Sequence, residues 1–559
     1  PYTTLFRSSG DRIAPGCSTC TATSGNGART NTPRAAPCPS PIPSAAAAAS
    51  AASEQAWAAA MSGVQEAMRV AAASKPGELD WRDNRNAFRE RFVCDDGTDR
   101  WFFTVYAPAD PDARDDLRYG LTDEAGKLNV NIAAETNLLR LPRFTPALAQ
   151  ALLDFIDFDN TQRPEGAEQE FYDALPQPYT IRNGPLDTLE ELLLVRGFTP
   201  ALLFGEDANR NFRLDPNEDD GEERPPADDK DGKLDLGLSQ LLTVSAYEYD
   251  DDDDGVPRTN INDPADGLPK MELPEPLVRY ILAVRTNRMT LAHPAELLEA
   301  KGRFKEGGKD VELESGVGGD QLALVLDKFT ASSKYRLTGL ININTAPAPV
   351  LATVPGLDEA LAESIVSTRR GLAPERRRSI AWLFQEGVVD AATFKRLAPY
   401  LSARSFQFSL QVVGYGVPSG RYRVLEAMMD LADGTPVLTH LRDLTRFGMP
   451  FQVNVELPVA GRRPGPASAV RSAKARGETR SRRNAAAAGQ GHGLIEGRLA
   501  AHAFQDGIEP HAVDGFHQDG YGILLGRVHD LFGPQGLGRP QTGRPSSGDL
   551  HPGCAQGFQ

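Results

Sequence analysis

One pattern occurs twice in the sequence, and this internal repeat constrains the fold more than any local propensity. A shift of 213 positions, with no gap, aligns the stretch 121–157 with a later stretch and pairs identical residues. The pairs are Asn129 with Asn342, Asn131 with Asn344, Ala133 with Ala346, Leu138 with Leu351, Pro142 with Pro355, Ala147 with Ala360 and Leu148 with Leu361. Because self-similarity at a fixed offset indicates related structural units, the sequence predicts two related helical units.

Each unit has the pattern of a helical hairpin. In the second unit Pro355 and Gly356 interrupt a first helix, since proline and glycine are the residues that most often end helices. The helix that follows places Ala360, Leu361, Ile365 and Val366 on one face at helical spacing. In the first unit Pro142 and Arg143 occupy the turn. A further helical stretch is predicted after each hairpin, at 188–204 and at 379–397.

Four ordered motifs carry a resemblance to a known family. They are DEAGKLNVN (Asp123–Asn131), GAE (Gly166–Glu168) shortly before Tyr172, LDTLEELLLVRG (Leu186–Gly197) and NINTAPAPVLATVPG (Asn342–Gly356). Together they resemble the K subunit of type II secretion systems, which is a minor pseudopilin. The resemblance extends over about 51–455.

The resemblance implies a fold, a function and a location. The implied fold class is α+β: a pilin-like N-terminal helix on an antiparallel sheet, with a large inserted α-helical domain made of two helix-hairpin (SAM-like) repeats. The implied function is that of a tip subunit without catalytic activity, which initiates or caps the pseudopilus for export of folded proteins across the outer membrane. The implied partners are the other minor pseudopilins, the major pseudopilin and the outer-membrane secretin. The implied location is the inner membrane, with the soluble part in the periplasm.

The sequence divides into eight predicted segments. The ends are 1–45, an artefactual or disordered flank, and 459–559, a disordered or out-of-frame tail. Between them we predict 46–120 as pilin-like helix and first strands, 121–206 as first helical repeat, 207–270 as an acidic calcium-loop segment, 271–339 as a mixed connecting segment, 340–404 as second helical repeat, and 405–458 as closing strands. The flank carries no leader or apolar anchor, although membrane anchoring is expected of the native family member.

Charge and cysteine content exclude other classes of protein. Helical hairpins also occur in nucleic-acid-binding proteins, but a net charge of -16 and a pI near 5.1 disfavour binding to phosphates. Of the five cysteines, Cys94 alone lies in the region of family resemblance, so we expect no disulfide framework. The CxxC at Cys17 and Cys20 has no second pair, which argues against a metal or redox site.

Periodicity predicts the elements around the repeats. Trp57, Met61, Val64 and Met68 recur at helical spacing and predict the face of an N-terminal helix that packs on the sheet. The alternating run 101–107 predicts a strand, and the stretches 406–416, 422–433 and 439–448 predict further strands. Asp123, Glu124 and Lys127 lack a nearby histidine or nucleophile, and we expect them to be structural rather than catalytic.

Acidic loops between the two units predict calcium binding. Asp207, Asn209, Asn211, Asp215 and Glu218 stand at positions 1, 3, 5, 9 and 12 of an EF-hand loop, whereas Phe212 replaces the usual glycine. In a second fragment Asp229, Asp231 and Asp235 fit positions 3, 5 and 9, with position 1 missing, and a third fragment begins at Asp250. The resemblance implies structural calcium in the helical domain.

Two alternatives stay open at this point. Charge runs are usually solvated loops, so the acidic segment alone does not establish a site. If it does bind calcium, an extracellular calcium-dependent scaffold or adhesion module is an alternative function. A further acidic cluster, Asp157, Asp159, Glu165 and Glu168, could be either a ligand set or a network of caps.

Overall fold

The computed structural model describes residues 45–110, 116–268 and 273–452. Within 45–52 it describes the backbone but not the side chains. The predicted flank and tail, and every cysteine except Cys94, lie outside these residues. Cys94 is half-buried and free. The α-helices are α1 (Ala45–Ala73), α2 (Arg85–Phe88), α3 (Glu135–Leu138), α4 (Pro146–Ile156), α5 (Gln169–Asp173), α6 (Pro200–Phe204), α7 (Glu275–Thr286), α8 (Gly319–Lys328), α9 (Ala348–Leu351), α10 (Glu359–Arg369), α11 (Pro374–Arg377), α12 (Trp382–Gln385) and α13 (Ala391–Leu397).

The strands are mostly short outside the main sheet. They are β1 (Arg91–Asp95), β2 (Arg100–Pro108), β3 (Leu117–Arg118), β4 (Thr122–Asp123), β5 (Leu128–Asn129), β6 (Leu242–Thr243), β7 (Tyr247–Tyr249), β8 (Thr259–Asn260), β9 (Lys301–Glu306), β10 (Lys309–Glu314), β11 (Phe329–Thr330), β12 (Arg336–Thr338), β13 (Ile341–Asn342), β14 (Leu401–Ser402), β15 (Gln407–Val417), β16 (Tyr422–Asp430) and β17 (Val437–Asp443). Short 3-10 helices include Leu189–Leu194 and Gly237–Gln240.

An antiparallel sheet joins the beginning and the end of the described chain. Its main order is β1, β2, β15, β16 and β17, with β3 paired to β2 and β4 paired to β15. The strands predicted at 101–107 and in the closing stretches therefore lie in one sheet. The α+β fold class is confirmed at this level. The chain between β4 and β15 forms a separate large hydrophobic core of helices and short strands.

Helix α1 packs on one face of this sheet through small residues. Its buried positions are Ala56, Ala59, Ala60, Val64, Ala67, Val70 and Ala71. Of the predicted stripe, Val64 is buried, and Met61 and Met68 are half-buried and pack against the same core. Trp57 is 44% exposed, so the predicted stripe was wrong at this residue. Large side chains would hold the helix away from the strands, whereas alanines let it approach closely. No helix among the described residues is long and apolar enough to cross a bilayer.

The two units found in the sequence have matching elements. Strand β13 and helices α9 and α10 begin and end 213 residues after β5, α3 and α4. The turn residues Arg143 and Gly356, separated by the same offset, both have positive φ, +67° and +85°. Threonine caps α4 and aspartate caps α10, each accepting from a backbone N–H three residues on. The repeated sequence pattern thus accompanies repeated local geometry.

Candidate metal centres

The segment 207–218 forms a closed loop held by its own carboxylates. Asp207 accepts hydrogen bonds from the backbone N–H groups of Asn211 and Phe212, at 3.0 Å each. Glu218 accepts from the N–H groups of Ala208 and Asp215, at 3.0 and 3.1 Å. The first and last acids of the predicted EF-hand pattern therefore close the two ends of one turn.

Phe212 adopts the backbone conformation for which calcium loops normally use glycine. Its φ is +61°, and Arg210 two positions earlier has φ +56°. Such angles strain a residue that has a Cβ atom. The phenyl ring of Phe212 packs on the core at the sheet face opposite α1 and meets Tyr106 edge to face at 6.2 Å. Packing on the sheet holds this turn, so the missing glycine does not prevent the loop geometry.

The acids of this loop are buried in a way that favours a bound cation. Asp207 is 3% and Glu218 1% exposed. Burial raises the pKa of Asp207 to about 6, against hydrogen bonds that lower it. Burial also raises the pKa of Glu218 to about 7, and the nearby charges of Asp207 and Asp215 add to this effect. Both carboxyls are thus short of positive charge, and oxygen ligands of this kind suit calcium.

The amide side chains of the loop point their nitrogen atoms inward. Asn209 Nδ2 and Asn211 Nδ2 donate to Asp215 Oδ2 at 2.7 and 2.8 Å. A cation bound here requires these two amides to turn their oxygens toward it, because calcium accepts only oxygen ligands in such loops. The donor set fits calcium, and the two amides are the part of the loop that has to move.

The second fragment acquires partners that the sequence pattern did not reveal. Gly232, at position 6, donates its N–H to Asp219 at 3.1 Å, as Phe212 does to Asp207. Asp235, at position 9, donates its N–H to Glu206 at 3.1 Å, as Asp215 does to Glu218. Asp219 and Glu206 thus take the places of the missing first and last acids. They come from outside the fragment, and the register of a single loop could not identify them.

The predicted ligands of this second fragment are less enclosed than those of the first loop. Asp229 and Asp231 are exposed and cap the turn by accepting from the backbone two residues on. Asp235 is half-buried and forms an ion pair with Arg143, whereas Glu206 is 8% exposed and burial raises its pKa. An arginine therefore already compensates part of the acidic charge at this fragment.

A lysine occupies the third acidic fragment. Lys328 Nζ lies 2.8 Å from Asp252, 2.9 Å from Asp254 and 3.1 Å from Asp327. Burial opposes ionisation of Asp252, but the hydrogen bond from Lys328 keeps its pKa below the usual value. The ammonium group thus supplies to this fragment the positive charge that an ion would bring.

A different group of acidic side chains has its carboxyl oxygens close to one another. Within the described ranges, the only group of three or more carboxyl, imidazole or thiol side chains that can bring one ligand atom each within 4.8 Å is Asp154, Asp157 and Glu168. The acidic pattern in the sequence includes Asp157 and Glu168 without deciding their role, and it does not include Asp154. Asp154 lies on α4, which made it look like an ordinary helix residue. Asp159 and Glu165 are exposed.

Asp123 is held by hydrogen bonds from residues in and next to the second unit. Its Oδ2 accepts from Asn342 Nδ2, Thr345 Oγ1 and Ser405 Oγ at 2.9, 2.6 and 2.8 Å. Glu124 pairs with Lys127 at 2.9 Å and accepts from Ser409. These contacts tie the start of the insertion to its end, which accounts for the acids without a catalytic role.

Comparison with known proteins gives two matches to one kind of family model. Two family models, both described as type II secretion system protein K, match residues 121–204 and 341–401. No curated protein matches the chain. A chain in the crystal structure of the GspK-GspI-GspJ complex from the enterotoxigenic Escherichia coli Type 2 Secretion System is similar at 14% identity, covering 71% of this chain and 98% of that one with a TM-score of 0.35. The two family matches fall on the two units of the repeat, and both units resemble type II secretion system protein K.

Proposed function

We propose that the chain is a minor pseudopilin at the tip of the type II secretion pseudopilus, without catalytic activity. The observation that carries this proposal is the order of the two family matches within the chain. Each match falls on one helical unit, and both units are inserted between strands β4 and β15 of the α1-covered sheet. We further propose that the insertion is a domain of two related helix-hairpin repeats.

The proposed location is the cell envelope, with the soluble part in the periplasm and the native protein anchored in the inner membrane. The proposed partners are the other minor pseudopilins and the major pseudopilin, with the secretin reached during export. The hydrogen bonds that Asp123 and Glu124 accept from neighbouring hydroxyl and amide groups support a structural role for these two acids.

We also propose that the loop 207–218 binds structural calcium. The bound ion would be held by Asp207, Asn209, Asn211, Asp215 and Glu218, and its charge would compensate the two buried acids at the ends of the loop. Because Phe212 of this loop packs on the sheet, calcium binding would also hold the insertion against the sheet. The second fragment, with Asp229, Asp231 and Asp235 and with Asp219 and Glu206 added, is a second candidate for calcium.

Association with purified minor pseudopilins tests the proposed function. Two preparations are compared: the full chain as it stands, and the full chain carrying a native family leader. Each is mixed with the other minor pseudopilins of the same cell, and complex formation is measured by co-elution with light scattering. We expect a complex of defined stoichiometry. Failure of both preparations to associate with any minor pseudopilin overturns the assignment.

A pair of surface variants localises the contact. Trp57 is 44% exposed on α1, and Val256 is 56% exposed in the insertion. If α1 is an assembly helix, Trp57→Glu should weaken association, because a charge would enter an apolar interface. Val256→Glu places the same charge on an equally exposed apolar side chain elsewhere and should leave association unchanged.

A further inference from the structure

A large groove opens in the insertion between the β7–β12 ribbon, helix α8 and the loops beside α11 and β14. Its volume is about 830 Å³, which falls within the range of about 300–1,000 Å³ for pockets that enclose an organic ligand. Leu326, Leu337 and Ile380 are among the apolar side chains of its walls. The groove is therefore large enough for a short stretch of peptide, and a single bound ion would leave most of it unfilled.

The acidic side chains that line this groove have positive partners, with one exception. Glu248 and Asp250, 7% and 5% exposed, are the most buried of them. Glu375 is exposed and forms no ion pair within the part of the chain that the structure describes. The ion pairs of the others are Glu248 and Asp250 with Arg258, Asp253 with Arg378, and Asp327 with Lys328. These compensated acids do little to repel an anionic ligand.

Three cationic side chains of the groove lack a carboxylate partner among the described residues. They are Lys334, Arg336 and Arg404. Lys334 and Arg336 are exposed and Arg404 is half-buried, so a ligand can reach all of them. Set against the one unpaired acid, Glu375, they leave an excess of positive charge at the groove. This is a local reversal of sign, because the net charge of the chain is -16.

Aromatic rings hold the two arginines of this group in place. The guanidinium carbon of Arg336 lies 3.6 Å from the centre of the Tyr247 ring, and that of Arg404 lies 4.8 Å from the centre of the Phe406 ring. Arg404 Nη1 also donates to the backbone oxygen of Asp251 at 2.6 Å. Stacking covers one face of a guanidinium and leaves its in-plane N–H donors, which fit a carboxylate in bidentate fashion. A group fixed in advance loses less conformational entropy when it binds.

We propose that this groove binds an acidic segment of a partner protein. Carboxylates of the segment would accept hydrogen bonds from Arg336 and Arg404, and Lys334 would add a third positive charge. Aliphatic side chains between these carboxylates would contact Leu326 and Leu337. Opposite charges across such a surface steer association and select the partner. No described side chain of α1 lines the groove, so this contact and the α1 surface proposed for pseudopilin assembly can each fail alone.

Binding of a labelled acidic peptide to the full chain tests this proposal. The probe is the fluorescent peptide Glu-Glu-Leu-Glu-Glu-Leu-Glu, and its Kd is measured by fluorescence anisotropy. We expect binding that weakens as the salt concentration is raised, because ions screen exposed charges. The same peptide with glutamine in place of every glutamate keeps the leucines but loses the charge, and it should not bind. Equal binding of the two peptides, or no binding of either, overturns the proposal.

Two variants place the peptide in the groove. Arg336→Gln should weaken its binding roughly 10-fold, the loss expected for one charge-assisted hydrogen-bonded pair. Arg279→Gln removes an exposed arginine outside the groove and should bind the peptide as the parent does. Thermal melting checks that both variants fold. The proposal is overturned if folded Arg336→Gln binds the peptide as tightly as the parent, or if phosphatidylglycerol vesicles bind through Arg336 more tightly than the peptide does.

Discussion

Two buried carboxylates, Asp207 and Glu218, lie at the two ends of the loop 207–218. Their spacing follows from the alternation of a coiled loop, and Asp207 and Glu218 do close the loop. Asp219 and Glu206, in contrast, reach the second fragment from positions outside it. Asp154 meets Glu168 only because a loop folds back between two helices. Contacts of this kind depend on tertiary structure and leave no periodic pattern.

Substitution of Glu218 by glutamine tests calcium and protonation together. Without calcium the folded state raises the pKa of Glu218 from 4.5 to about 7, so the folded protein binds more protons than the unfolded chain between these pH values. Its contribution to stability therefore falls as pH rises through that window. We expect the melting temperature of the calcium-free parent, relative to Glu218→Gln, to rise when pH is lowered from about 7.5 to about 5.5.

Calcium should reverse this behaviour. At a concentration about 100-fold above its dissociation constant, an ion that binds only the folded state adds about 2.7 kcal/mol of stability. The melting temperature of the parent should rise with calcium, fall again with chelator and respond little to magnesium. Glu218→Gln should lose most of this rise. Glu223→Gln, an exposed acid nearby, is the control. A parent whose melting temperature ignores both calcium and chelator would leave this segment a solvated acidic loop.

At the scale of elements, the sequence predicted which stretches form the sheet better than it predicted how α1 contacts it. Strand β16 has the alternating burial of a half-buried strand, whereas β2 is buried at nearly every position. The buried face of α1, however, consists mainly of alanines, which carry little hydrophobic periodicity. Large apolar residues dominate such patterns, so the predicted face includes Trp57, which is exposed. Whether small residues can pack closely depends on the side chains of the strand that they face.

Gly414 is the partner of this small-residue face and gives a test of it. A Cβ atom at this position would lie 2.3 Å from Ala56 O and Ala60 N of α1, both backbone atoms that cannot rotate away. We expect Gly414→Ala to destabilise the protein by roughly 1–3 kcal/mol through overpacking, measured by urea denaturation. Gly319→Ala is the control, because the nearest atom to its added Cβ is 3.7 Å away and alanine favours helix. Equal stability of the two variants would show that α1 does not pack closely at Gly414.

At the scale of the molecule, the insertion is fastened to the sheet by polar links that no local pattern announces. Asp123 joins the start of the insertion to residues near its end through three hydrogen bonds. Phe212 adds an apolar contact on the sheet face opposite α1. The repeat at 213 positions indicated two units but not their attachment, because Asp123 and Phe212 are not among its identical pairs. Attachment is therefore a property to be tested by mutation.

Arg442 forms the most direct of these links, since its side chain pairs with one acid of the insertion and one acid of the sheet. Its guanidinium pairs with Glu190 of the insertion at 2.5 Å and with Glu426 of β16. With side chains about a quarter exposed, loss of the pair should cost roughly 1–2 kcal/mol, less than for a fully buried network. Arg442→Gln should therefore lower stability and speed hydrogen exchange in 189–194, whereas Arg279→Gln, which breaks an exposed pair with Glu306, should do neither. Unchanged exchange in 189–194 would mean that the insertion is held to the sheet without Arg442, through Asp123 and Phe212.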